Sequence, residues 1–120
     1  MKKLLLALML TLTISSQAEF RQKMNIKYKK EYGWSKYYYV DVNVMTGFEL
    51  NQATQTYNYN SYSTYAVVFW GQGQATVIKI SSYVACGYEA SPSCIAYSSY
   101  LEGLDQDGDK WYLCLTDYCY

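Results

Sequence analysis

Histidine is missing from the chain altogether, and proline occurs once, at Pro92. Without histidine there is no side chain whose ordinary pKa lies near neutrality, so acid–base catalysis loses its usual agent. A tetrahedral metal site would have to be built from four thiolates alone. No nucleophile elbow, phosphate loop or metal-binding motif occurs. No apolar run reaches the roughly 20 residues that a helix needs to cross a bilayer. Charge is also scarce: ten basic and ten acidic residues cancel. A balance this even argues against nucleic acid as the partner, because that binding rests on many phosphate contacts.

What is present begins with a leader. Met1-Lys2-Lys3 precedes an apolar run from Leu4 to about Leu12, followed by small and polar residues ending in Ser16-Gln17-Ala18. A positive start, a hydrophobic middle and a small-x-small end are the parts of a cleavable export signal, here bacterial in its brevity. The expectation is a signal peptide at 1–18 and a single domain at 19–120, working in the periplasm or secreted. Loss of Lys2 and Lys3 leaves eight basic residues against ten acidic, a net charge of −2. A domain of about 100 residues buries only about 60–65% of its unfolded surface, so covalent staples help it.

Four cysteines, Cys86, Cys94, Cys114 and Cys119, all follow the leader. In an exported chain an even set reads as two disulfides. Three pairings are open. Short loops favour Cys86–Cys94 with Cys114–Cys119, whereas Cys86–Cys114 with Cys94–Cys119 would tie separate strands together and stabilise more.

Beyond the leader no helical period stands out, and β-branched and aromatic residues dominate between glycine, asparagine and serine. Met24, Ile26 and Tyr28 alternate with Asn25, Lys27 and Lys29. Tyr38, Val40, Val42 and Val44 alternate with Tyr39, Asp41 and Asn43. Gly47 to Thr56 is ambiguous, with a short strand around Phe48 and Leu50 as one reading. Tyr65 to Trp70 is apolar on both faces, which places it centrally. Gly71-Gln72-Gly73-Gln74 turns it into Ala75 to Ile80. Ile95 to Leu101 and Lys110 to Leu115 form a last hairpin about Asp107-Gly108, a two-residue turn signal. About six short strands with no helix between them predict an all-β fold, a small antiparallel barrel (OB-like or SH3-like) or a sandwich.

The sixteen tyrosines are densest in Tyr57-Asn58-Tyr59-Asn60-Ser61-Tyr62-Ser63-Thr64-Tyr65. Tyrosine gives large, rigid contacts at low entropy cost, and serine and asparagine add adaptable hydrogen bonds, as in binding loops. Tyr57, Tyr59, Tyr62 and Tyr65, with Trp34, are therefore the candidate ligand-binding residues, set against the plainer role of a lid on the barrel. Asp105, Asp107 and Asp109 carry alternate carboxylates like the start of a calcium loop. Glycine in fourth place and Thr116 in twelfth break that pattern, so an exposed turn is the stronger reading and no cofactor other than calcium is suggested. Arg21, Lys23, Lys27, Lys29, Lys30 and Lys36 crowd six basic charges among Tyr28, Tyr32 and Trp34, a face for an anionic partner or a solvated strand. Glu31, Glu49, Glu89 and Glu102 are too scattered for a carboxylate hydrolase.

The sequence therefore points to a non-enzymatic binding module for a protein or an envelope glycan. A self-assembling component of envelope or matrix is the alternative, and a small carboxylate-dependent hydrolase comes third. Tyr65 to Trp70 is uncharged, apolar and β-prone, the composition of a segment that aggregates when exposed. Reduction of the disulfides is expected to lower the melting temperature and bring the chain out of solution. An unchanged melt of a soluble reduced chain would refute this.

Overall fold

The computed structural model describes residues 4–5, 20–71, 73–81 and 100–115. Cys86, Cys94 and Cys119, the Ser16-Gln17-Ala18 site and the beginning of the strand expected from Ile95 lie outside these residues. Strand β1 (Leu4–Leu5) pairs with the start of β6 and is followed by β2 (Phe20–Lys30), β3 (Gly33–Trp34) and β4 (Tyr38–Thr46). Helix α1 (Gly47–Thr54) comes next, then β5 (Thr64–Gly71), β6 (Gln74–Ile80), β7 (Tyr100–Asp105) and β8 (Lys110–Cys114).

Six of these strands make a closed antiparallel barrel. Each long strand pairs with the next along the chain: β2 with β4, β4 with β5, β5 with β6, β6 with β7 and β7 with β8. The circle shuts where Asn25–Tyr28 of β2 meet Trp111–Cys114 of β8. The expected all-β fold is therefore a barrel, with no second sheet among the described residues. Its strands run in an up-and-down meander, whereas an OB-fold is a five-stranded Greek key.

Alternation decides which side chains enter. Met24 and Ile26 of β2, Val42 and Val44 of β4, Ala66 and Val68 of β5, and Ile78 and Ile80 of β6 fill the interior with Leu101, Trp111 and Leu113. Four rings plug one end: Tyr28 lies 5.2 Å from Trp111 and 6.5 Å from Tyr38, and Trp70 lies 5.5 Å from Tyr38 and 6.1 Å from Trp111. A register shift between Phe69 and Gly71 places Trp70 at a bulge. The indoles are satisfied, Trp70 Nε1 donating to Thr76 Oγ1 and Trp111 Nε1 to Asp105 Oδ2.

The expected strand around Phe48 and Leu50 is corrected to helix α1. Thr46 is its N-cap and Glu49 completes a capping box: Glu49 N–H donates to Thr46 Oγ1 at 3.2 Å, and Thr46 N–H to Glu49 Oε1 at 2.9 Å. Thr46-Gly47-Phe48-Glu49 is the T-x-x-E signature of such a start. Leu50 and Ala53 then pack on the barrel's outer wall against Met45, Tyr65, Val67 and Val77. Strand β5 is thus buried on both faces, as its composition predicts.

The seam between β6 and β7 is short, running only from Ile78–Asp105 to Ile80–Gly103. A Cβ at Gly103 would collide with the Lys79 carbonyl oxygen, so glycine lets the two backbones close. Beyond the seam the Gln106 side chain acts like a strand residue, accepting from Val77 N–H at 3.0 Å and donating to Ala75 O at 3.2 Å.

The final turn also differs from the expectation. Asp105 N–H donates to Asp109 O, so that hydrogen bond closes over three residues, Gln106, Asp107 and Gly108, with Gly108 at φ 86°. That is the pattern of a type I turn followed by a left-handed glycine. Asp105, nearly buried, organises it: Oδ1 accepts from Asp107 N–H and Asp109 N–H, and Oδ2 from the Trp111 indole, each at 2.9 Å. Asp105→Ala leaves the buried Trp111 indole N–H without an acceptor and removes two backbone bonds from the turn, and is expected to destabilise the fold by about 3 kcal/mol. A urea melt would show this as a lower midpoint at unchanged slope.

Candidate functional site

Helix α1 and the segment that follows it are built as one unit. The first two helical N–H groups point outward from the helix start, and the returning chain accepts both: Gly47 N–H donates to Ser63 O at 2.8 Å and Phe48 N–H to Ser61 O at 3.3 Å. Only glycine fits at 47, because a Cβ would overlap the Asn60 carbonyl. From the middle of the helix, Asn51 clamps Tyr59 as a paired strand would, Nδ2 donating to Tyr59 O at 2.8 Å and Oδ1 accepting from Tyr59 N–H at 3.0 Å. The Tyr65 hydroxyl accepts from Asn60 N–H at 3.0 Å, and Asn60 Oδ1 from Tyr62 N–H at 2.9 Å. The loop's shape is fixed by polar side chains from within it and beneath it.

This framework divides the tyrosines. Tyr65 is buried, and Tyr59 packs edge-on against it with ring centroids 5.3 Å apart. These two hold the loop against the barrel's outer wall rather than over one of its ends. Tyr57 and Tyr62 are 98% and 95% exposed. Both rings project from a loop whose backbone is held by Asn51, Asn60 and Tyr65. Beside Tyr57 lies an open hollow of about 470 Å³, lined by Phe48, Asn51, Gln52, Gln55, Thr56, Tyr57 and Ser61. Its walls carry no charge. Phe48, Gln52 and Gln55 stand at helical spacing on one face of α1 and at its C-cap. Sequence reasoning missed them because it missed the helix, whose capping box was the available signal.

Trp34 does not join this group. It sits on β3, paired with Lys29 of β2, with Lys27 Nζ 5.0 Å and Lys29 Nζ 5.2 Å from its ring centre. Lys27 also lies 4.8 Å from the Tyr37 ring and 5.2 Å from the Tyr112 ring, and Tyr112 stacks on Tyr100. Much of the basic stretch is thus held over aromatic faces, while Arg21 and Lys23 reach Asp41 at 3.5 and 3.9 Å.

The Asp105 oxygens are engaged by the turn, and Asp107 and Asp109 supply backbone N–H groups to it. Among the described residues no three of histidine, cysteine, aspartate and glutamate come together as ligands for a metal ion. Glu49 serves the helix cap, and Glu102 lies 3.4 Å from Lys110. Cys114, buried at the end of β8, is not free, and the cysteines that could pair with it lie outside the described residues.

No family model matches the chain, and neither a curated protein nor a solved structure matches it.

Burial raises the Tyr59 hydroxyl above its ordinary pKa of 10.0, with Tyr65 adding to the shift. The folded chain therefore keeps this phenol neutral at a pH where the unfolded chain ionises it. That stability is fully present below pH 10.0 and is lost as the pH rises through the folded value. Thermal melts on either side of that pH are expected to show the decline, and Tyr59→Phe to show less of it.

Proposed function

We propose that this chain is an exported binding module that takes a neutral glycan of the cell envelope in the hollow between α1 and the Tyr57–Tyr62 loop. The leader at 1–18 directs it to the periplasm or beyond, and two disulfides among Cys86, Cys94, Cys114 and Cys119 staple it there. The observation that carries the reading is the division of the tyrosines. Tyr59 and Tyr65 hold the loop, while Tyr57 and Tyr62 stand almost wholly exposed, Tyr57 in the wall of an uncharged hollow of about 470 Å³ that Ser61, next to Tyr62, also lines. Aromatic walls with amide and hydroxyl groups suit a sugar, whose ring has an apolar C–H face and hydroxyls at its rim. Pre-ordering of the loop lowers the entropy cost of binding. A protein segment is the other ligand such a surface accommodates.

The proposed role is binding rather than catalysis; Glu49 serves the helix cap and Glu102 an ion pair. The self-assembly alternative finds less support. Its most β-prone segment, Tyr65 to Trp70, is paired with β6 from Tyr65 to Phe69 and with β4 from Tyr65 to Val67.

The test is a thermal melt of the oxidised protein with neutral oligosaccharides such as chitotriose and cellotriose. A ligand at a hundred times its dissociation constant stabilises by about 2.7 kcal/mol, which moves the midpoint of a domain this size by roughly 10 °C or more. Tyr57→Ala and Tyr62→Ala are expected to abolish the shift without changing the unliganded melt. Absence of a shift with every neutral oligosaccharide would sink the glycan reading.

A further inference from the structure

We propose that the outer wall of β2, β4 and β5 holds a second site, for one acidic sugar residue, a hydroxylated ring bearing a carboxylate. This site does not depend on the hollow at α1 and shares no residue with it. A cavity of about 320 Å³ opens there, lined by Arg21, Lys23, Tyr39, Asp41, Asn43 and Phe69 with the Val40 backbone strand between them. That volume is at the lower end for small-molecule sites, the scale of a single ring.

Strand register explains the arrangement. Arg21 faces Asn43 and Lys23 faces Asp41 across the β2–β4 ladder, and Asn43 faces Val67 of β5. All of these point away from the barrel interior.

Asn43 is the decisive residue. It is only 2% exposed, and its Nδ2 donates to Val67 O at 3.3 Å. Its Oδ1 is buried and accepts no hydrogen bond, the one such side-chain atom among the described residues. A buried acceptor without a donor costs stability that an apolar side chain would not. A ligand hydroxyl at the floor of this cavity supplies the missing donor.

The remaining groups match the rest of such a ligand. Arg21 Nη2 lies 3.5 Å and Lys23 Nζ 3.9 Å from the same Asp41 oxygen, with all three side chains about half exposed. Ion pairs this exposed are weak and exchange partners readily. Two cations against one carboxylate leave a local charge of +1 on these side chains. A ligand carboxylate takes the cations with charge-assisted hydrogen bonds. Asp41, released, accepts from a second hydroxyl. Tyr39, 65% exposed with Lys23 Nζ 5.4 Å from its ring centre, offers an aromatic face to the sugar's C–H groups. Alternating donors and acceptors beside a ring suit a polyol better than a bare anion.

The test is calorimetric titration of the oxidised full-length protein with glucuronate, glucose and inorganic phosphate. Glucuronate is expected to bind saturably, roughly tenfold or more tighter than glucose, as one charge-assisted contact requires. Asn43→Leu keeps the branched outline of the side chain while removing both the unpaired Oδ1 acceptor and the Nδ2 donor to Val67 O. It is expected to weaken glucuronate roughly tenfold, with a melt that shows the variant still folded. Tyr39→Ala, at an exposed position, is expected to lower affinity by roughly tenfold with an unchanged melt. Tyr57→Ala is expected to leave glucuronate binding as it was, which separates this site from the one at α1. Absence of saturable glucuronate binding, or wild-type affinity in both Asn43→Leu and Tyr39→Ala, would overturn the proposal. Phosphate binding as tightly as glucuronate would also overturn it, in favour of a simple anion site.

Discussion

A meander of six strands keeps two raw edges unless its last strand returns to its first. Here that return rests on four facing pairs, from Asn25–Cys114 to Tyr28–Trp111. Everything else in the molecule accommodates this closure. Strand β2 must be long enough to pair with β4 over its first half and with β8 over its second. Gly103 lets β7 come close enough to β6, and the Gln106 amide covers the part of β6 that β7 does not reach. Closure satisfies backbone groups that an open sheet would offer to other chains. It also brings Tyr28, Tyr38, Trp70 and Trp111 to one end, where four aromatic rings replace the small side chains that a tapering barrel would otherwise need.

The second organising fact is that the barrel wall has two insides. Ala66 and Val68 of β5 face the interior, and Tyr65 and Val67 face the helix. One strand therefore belongs to two apolar clusters, and the same wall that stabilises the barrel seats α1. The division of labour among neighbouring tyrosines follows from this. Tyr65 lies on β5, so its ring is fixed by the ladder. Tyr59 packs against it, and Tyr57 and Tyr62 fall on the two parts of the loop that turn away.

Much of this architecture is legible in the residue order. The alternation in Met24–Tyr28 and Tyr38–Val44 places the interior side chains correctly, and the two-sided apolar run at Tyr65–Trp70 marks the strand covered on both faces. The glycine-rich turn after it and the Asp-Gly turn before β8 both connect adjacent strands. Helix α1 is less legible because eight residues give too little period to outweigh Phe48 and Leu50 as strand formers. The capping box of Thr46 and Glu49 is the local signal that decides it. Three-dimensional closure hides the rest. Period-two alternation puts Asn43 on the outward face with Tyr39 and Asp41, and nothing in the residue order shows that outward there means buried. Trp34 and the tyrosine loop read as one aromatic set along the chain, yet β3 hangs from β2 while the loop hangs between β4 and β5.

Thr46 and Thr64 face each other in the β4–β5 ladder. The chain thus leaves the barrel and re-enters it at a single point, and residues 47–63, which carry α1 and both exposed tyrosines, amount to one long hairpin connection. A segment attached in this way can be exchanged as a cassette. Its length and surface are free to diverge provided that Leu50, Ala53 and Tyr59, or equivalents, still roof the outer wall. Variation confined to that cassette would reshape this exposed surface while leaving the folding problem of the barrel already solved.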